Sequence, residues 1–278
     1  MKIVTEMLYG GYVILMSRVK DIRLKVIPSK VANDFVKKHH YSRSVAFGSR
    51  LNFGCFLDST LHGVLQYGNP IDKRKVLPLV FTEYNEMVGW NEFVELNRMV
   101  FDDYLPKYSE SRCIAVSIRL IKKNAPHIKW ILSFADGTQC GDGTIYRASG
   151  FKLTNIKENK SLCKMPNGVV FNEISTRQLQ GASLRRKIGF RLGETIKLFK
   201  ERTGSVAIKG NQLRYIYLID KTCKITVPIL PFSKIKEMGA SMYLGKKICD
   251  VGVKRSTASF QDVGGGAIPT TSLHLNYA

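Results

Sequence analysis

The sequence predicts an α+β, or mixed α/β, fold built on one central sheet. Two observations carry this. Short runs with the two-residue alternation of strands are interleaved with segments of helical apolar spacing. Two early strand candidates are separated by only a tight turn, which makes them antiparallel, whereas later strands alternate with helices.

The elements follow in order. Ile22-Arg23-Leu24-Lys25-Val26 alternates apolar and basic residues and reads as a strand. Pro28-Ser29 breaks it. Ser29 then caps a helix over Lys30 to His40 with Val31, Ala32, Phe35 and Val36 on one face. Arg50 to Phe56 and Leu61 to Tyr67 flank the turn Asp58-Ser59-Thr60, and Gly68-Asn69-Pro70 ends the hairpin. Phe93 to Arg98 is a further strand. Ser109-Glu110-Ser111 caps an amphipathic helix from Arg112 to Lys123, stopped by Ala125-Pro126. Trp130 to Ala135 is a buried-type strand. The Gly-rich loop Gly137 to Gly143 leads to a short helix over Thr144 to Ser149, with Gly150 as C-cap and Phe151-Lys152-Leu153 opening the next strand. Leu184 to Arg202 reads as one basic helix with Ile188, Leu192, Ile196 and Phe199 on its apolar face. Arg214 to Ile219 and Lys224 to Ile229 read as a hairpin around Asp220-Lys221, and a Gly-, Ser- and Thr-rich tail follows Lys254. Three regions result: an N-terminal extension (1–21), a mixed α/β domain (22–180) and a basic C-terminal extension (181–278).

Charge is the strongest compositional signal. The 278 residues hold 43 Lys+Arg against 22 Asp+Glu, a formal net charge of +21. From Arg177 onward there are 18 Lys+Arg and 6 Asp+Glu, so the excess concentrates in the last third. A polyanion, DNA or RNA, is the expected partner. No apolar run reaches the roughly 18–20 residues that span a bilayer, so a soluble cytoplasmic protein with no membrane partner is expected. The six cysteines form no CxxC pair, which disfavours a zinc ribbon and a disulfide framework. Oligomeric state, dimer or otherwise, has no signature.

Two stretches resemble the acetyltransferase fold of the GNAT superfamily. In that superfamily a helix ending in Tyr-x-x-x-Gly-Phe follows the splayed fifth strand, and Tyr146 to Phe151 matches it. The strand Val94 to Arg98 followed by a capped helix is the second, at the place where the family seats a cofactor pyrophosphate on free backbone N–H groups. The family's Gly-rich pyrophosphate loop is replaced here by Asp102 to Ser111, with two acidic residues at its start. A narrower set is similar to the Mom DNA-modification proteins of Mu-like bacteriophages: His40-Tyr41-Ser42, Glu95-Leu96-Asn97-Arg98, Ser109-Glu110-Ser111, Ser133-Phe134-Ala135-Asp136 and Gly143-Thr144-Ile145-Tyr146. The resemblance implies a GNAT-like, mostly antiparallel sheet with splayed parallel strands. It also implies conversion of adenine in double-stranded DNA to N6-carbamoylmethyladenine, which shields phage DNA from host restriction. Iron and a CoA-type donor, acetyl-CoA or another group donor, come with it as cofactors.

Candidate residues follow from chemistry. His40, Tyr41, Arg98, Asp136 and Tyr146 are the catalytic candidates. His40, Asp136 and Tyr146 are also expected iron ligands, since one imidazole, one carboxylate and one phenolate suit that ion; the bland alternative has His40 and Asp136 capping a helix and a turn. Arg98, in an otherwise apolar strand, is expected to bind a donor phosphate or carboxylate, with Glu95 or Asp102 as the alternative partner. Ser109 and Ser111 offer an anion hydroxyls and a helix N-terminus, or simply cap it. Arg185, Arg186, Lys187, Arg191 and Lys197 are the expected phosphate contacts, or a solvated helix face. Tyr215, Tyr217 and Tyr243 either stack on an extruded base or fill the core. A conventional CoA-dependent N-acyltransferase and a non-catalytic DNA-binding module are the rival functions.

Overall fold

The computed structural model describes residues 8–9, 12–13, 18–42, 44–46, 48–138, 141–177, 182–238, 242–243 and 246–247. Two compact units divide the chain at Ile248/Cys249, and the second lies outside the described residues, as does the Gly-, Ser- and Thr-rich tail.

Seven strands form the central sheet: β1 (Arg23–Val26), β2 (Ser49–Leu57), β3 (Thr60–Gly68), β4 (Phe93–Phe101), β5 (Trp130–Asp136), β6 (Lys152–Glu158) and β7 (Asn211–Leu218). Their order is β1-β2-β3-β4-β5-β7-β6. Every pair is antiparallel except β4–β5. The β2–β3 hairpin turns at Asp58 and Ser59, both at positive φ (49° and 67°), the pair of left-handed residues a two-residue hairpin needs. The single parallel pair is short. Phe93 to Leu96 pair with Trp130 to Ser133, after which β4 runs on to Phe101 and β5 to Asp136 paired only with their outer neighbours β3 and β7, not with each other. The two central strands therefore splay at their carboxyl ends, as expected.

Helices cover both faces. α1 (Ser29–His39) buries Ala32 and Val36 against Ile27, Val64 and Val100. α2 (Ser109–Asn124) buries Cys113, Ile114, Ile118 and Ile121 on the other face. Tyr67 spans that core to share a 2.6 Å hydrogen bond with Ser117, which satisfies both buried hydroxyls. α3 (Thr144–Ala148) follows the Gly-rich loop. Trp130, fully buried, stacks on Phe93 at 4.4 Å in a second cluster.

Two expected elements differ. The helix expected over Leu184 to Arg202 is two helices, α4 (Ala182–Ile188) and α5 (Ile196–Thr203). Gly189 and Gly193 adopt left-handed backbone (φ 72° and 74°), and Thr195 caps α5 through its hydroxyl. The expected hairpin around Asp220-Lys221 does not form. β7 lies between β5 and β6 instead, and Lys224–Ile225 pairs with the short strand Val80–Phe81. Residues 211–218 thus belong to the central sheet rather than to an appended extension.

Candidate active site

Strand direction gathers the candidates at one end. β4 and β5 point the same way, so Arg98 and Asp136 lie toward the carboxyl ends of neighbouring strands. Successive antiparallel pairings from β4 back to β1 send α1 toward that same end, where it finishes beside His40. Open sheets bind ligands at such ends.

The decisive local feature is a β-bulge. Tyr67 faces Leu96 and Gln66 faces Arg98, so Asn97 is an extra residue on β4. The extra residue shifts the side-chain alternation. Val94 and Leu96 pack into the core beneath α2, and so do Met99 and Phe101, an odd step across the bulge. Val100 packs with α1 on the other face. Glu95 and Arg98 therefore share the α1 face. Gly68, opposite the bulge, has no room for a side chain: a Cβ there would lie 2.2 Å from the Gly48 carbonyl oxygen and 2.7 Å from Asn97 Oδ1.

Arg98 is the hub. Its Nε donates to the Ser44 carbonyl (3.1 Å) and a terminal nitrogen to the Asn97 carbonyl (2.7 Å). Burial weakens its hold on its proton, while Tyr41, Glu95 and Tyr146 nearby favour the charge. Glu95 is raised to about 7 because burial disfavours its anion, against the opposing pull of an Asn97 hydrogen bond and Arg98. His40 is pushed down to about 4, by burial first and the Arg98 charge second. Its ring is neutral at physiological pH. The Ser42 backbone N–H donates to His40 Nδ1 (3.2 Å), so Nδ1 is the acceptor and the ring proton sits on Nε2. Tyr41 lies against His40, ring centroids 4.3 Å apart, and is half exposed.

Tyr146 is buried between Tyr215 (5.4 Å) and Phe151 (5.5 Å). The Gly-rich loop makes this possible. Gly143 is left-handed (φ 77°), and a Cβ on it would fall 2.5 Å from the Tyr215 ring. Tyr215 in turn donates its hydroxyl to the Asp142 carbonyl.

The structure thus connects His40, Tyr41, Arg98 and Tyr146, together with Glu95, which sequence reasoning did not select. Asp136 sits at the end of β5, where Oδ1 accepts the Thr138 N–H (2.9 Å) and Asn159 Nδ2 (3.4 Å) and so shapes the following turn. Ser109 is buried and its hydroxyl donates to the Pro106 carbonyl, while Ser111 donates to the Tyr108 carbonyl (3.2 Å). Both hydroxyl protons are turned back onto the preceding loop. Tyr215 and Tyr217 are packed in the core, and the side chain of Tyr243 lies outside the described residues.

The donor sets decide which cofactors suit the site. An imidazole that accepts at Nδ1 and carries its proton on Nε2 has no lone pair left for a metal. A buried arginine beside it opposes a second cation. No group of three or more His, Cys, Asp or Glu that could hold a metal occurs among the described residues. With Nδ1 engaged by Ser42, His40 as arranged here does not fit the role of an iron ligand. The start of α2 also fits a CoA pyrophosphate poorly: its first turn carries Glu110, Asp102 and Asp103 precede it, and both serine protons are spent.

The basic lobe lies at the same end of the sheet. β6 runs parallel to β5, and past its carboxyl end Leu162–Lys164 pairs with Val170–Asn172 and Val206–Ala207. α4 and α5 pack on this small sheet through Phe171, Ile188 and Phe199. Arg186, Lys187, Arg191 and Lys197 are exposed, whereas Arg185 is half-buried and donates to the Thr176 carbonyl (3.0 Å).

Comparison with known proteins adds the rest. Solved structures that superpose on this chain include the ribosomal-protein-S18-alanine N-acetyltransferase of Escherichia coli, 8% identical over 72% of this chain and 94% of that one, with a TM-score of 0.39. A spermidine/spermine N-acetyltransferase of Vibrio cholerae is 7% identical, covers 73% and 95%, and gives a TM-score of 0.40. By sequence, the chain is 32% identical over 206 residues to the methylcarbamoylase mom of Escherichia phage Mu, covering 74% of this chain and 78% of that protein. The Mom protein family profile matches residues 21–234, from β1 through β7, and the chain belongs to that family.

Proposed function

We propose that this protein is a transferase that modifies the N6 amine of adenine in double-stranded DNA, forming N6-carbamoylmethyladenine in the host cytoplasm and shielding phage DNA from restriction. The reading rests on one convergence: the Glu95–Arg98–His40 cluster and an arginine-rich lobe occupy the same end of the sheet. Family membership supplies the class of reaction.

The chemistry assigns roles to these residues. The N6 lone pair is delocalised into the ring, so the amine attacks only a donor carbon that carries a leaving group: the N–C bond forms as the carbon–leaving-group bond breaks, the leaving group departs with that electron pair, and the amine nitrogen loses a proton. Glu95, near 7, is half ionised at neutral pH and is suited to take that proton. Arg98 is placed to bind a carboxylate or phosphate of the donor. His40 Nε2–H is a fixed, uncharged donor, suited to a ring nitrogen or a developing oxyanion. Tyr41 supplies an exposed ring against which a base turned out of the helix stacks. Asp136 holds the turn before the Gly-rich loop and so positions Tyr146. No metal enters these steps.

Mass spectrometry of nucleosides from cells expressing the protein tests the reading. A carbamoylmethylated adenine that disappears with Arg98→Ala or Glu95→Gln is expected. Acetylated protein with unmodified DNA would instead identify an ordinary N-acyltransferase, and duplex binding without any new nucleoside a binding module.

A further inference from the structure

Leu192 is more exposed than any other large apolar residue among the described ones, at 106% of its reference area. It sits between α4 and α5, on a connector that the structure braces from several directions. Phe190 turns inward, 5.1 Å from Phe199. Gly189 and Gly193 hold left-handed backbone on either side. Glu194 accepts the Arg191 N–H (2.9 Å) and takes a two-pronged ion pair from Arg202, at 2.7 and 2.9 Å. The same guanidinium donates to the Gly189 carbonyl (2.9 Å). A connector so tied does not fold its leucine back onto the protein.

The surroundings define the partner. Arg186 and Arg191 are exposed and line one surface hollow with Leu192, Lys187 is exposed beside Arg186, and the Glu194 carboxylate is paired with Arg202. An apolar side chain beside exposed cations suits a polyanion that also offers an apolar interior. In duplex DNA that interior is the gap between stacked base pairs, and apolar side chains flanked by arginines enter it as wedges. We propose that Leu192 is such a wedge, prying open a base step so that the target adenine is turned out toward Arg98 and Tyr41. The inference rests on the DNA reading above.

The test uses the full-length protein and a duplex carrying 2-aminopurine, whose fluorescence rises when it unstacks. Wild-type protein is expected to bind and to raise the signal several-fold. Leu192→Ala is expected to keep its melting temperature and bind within about threefold of wild type, because phosphate contacts supply most of the affinity. The variant is also expected to lose the fluorescence rise and most modification of paired DNA. Leu192→Met restores both, and a mismatch opposite the adenine rescues Leu192→Ala. A Leu192→Ala protein that still raises the signal and modifies duplex normally would sink the wedge. So would a loss of self-association in sedimentation with unstacking intact, which would make Leu192 a contact between copies of the chain. Failure of the wild type to bind any duplex would instead bring down the DNA reading itself.

Discussion

At the scale of single residues, the site is defined by two opposite shifts. Glu95 is held protonated to higher pH than usual and His40 is held neutral to lower pH. If Glu95 takes the amine proton, the modification rate rises with pH through about 7, and Glu95→Gln flattens the profile at a low value. Stability carries the reverse sign for the same group. Between its unfolded value and about 7 the folded state binds the extra proton, so Glu95 lowers stability as pH rises through that window. His40 acts oppositely: from about 6.5 down to about 4 the unfolded state binds the extra proton, so its contribution is lost as pH falls. Melting curves of Glu95→Gln across pH 5 to 8 should therefore decline less toward pH 8 than those of the wild type. Arg98 was legible in the sequence because a charge in an apolar strand needs a purpose. Glu95 was not. Strict alternation puts residues 95 and 98 on opposite faces, and only the extra residue at Asn97 reunites them. A bulge leaves no pattern in a single sequence.

Elements show the same limit from the other side. The apolar spacing of Ile188, Leu192, Ile196 and Phe199 fits one helix, and that spacing outweighed Gly189 and Gly193, which in fact end α4 and precede α5. Ile188, Ile196 and Phe199 are buried as the spacing predicts, but Leu192 faces solvent because it lies in the non-helical connector between Gly189 and Gly193. The β2–β3 hairpin and α2 were readable from their turn residues and periodicity, but the expected caps are not formed: α2 begins at Ser109, whose hydroxyl donates to the Pro106 carbonyl, and neither Ser109 nor Ser29 caps its helix through its side chain. Around the bulge the packing is tight enough to test. Gly68→Ala places a methyl against backbone at Gly48 and against Asn97, so about 1–3 kcal/mol of stability should be lost, seen as a lower urea midpoint. Modification should fall further than stability, because Asn97 sets where Arg98 points. A variant with unchanged activity would separate the bulge from the chemistry.

Over the whole molecule, charge is the dominant quantity. With a net charge of +21, the duplex binding proposed above should be steeply salt-dependent. Replacing Arg186, Lys187 and Arg191 with Gln should weaken binding to all sequences alike and reduce the salt slope by up to about three contacts' worth. Arg185→Gln, which loses a bond to Thr176 rather than an exposed charge, should instead lower stability with a smaller change in slope. An unchanged slope in the triple variant would remove this lobe from the interface.

The seating of β7 between β5 and β6 also governs how the protein is made. During synthesis β1 to β5 emerge with their neighbours in hand, but β6 has no partner in the sheet until residues 211–218 follow, more than fifty positions later. Until the ribosome releases that segment, β5 presents an open edge of unpaired backbone, a surface prone to mispairing. The sheet closes only after the basic lobe has been translated. A chain cut short before β7 thus cannot complete its central sheet, and the core of the fold closes only once its most basic stretch is in place.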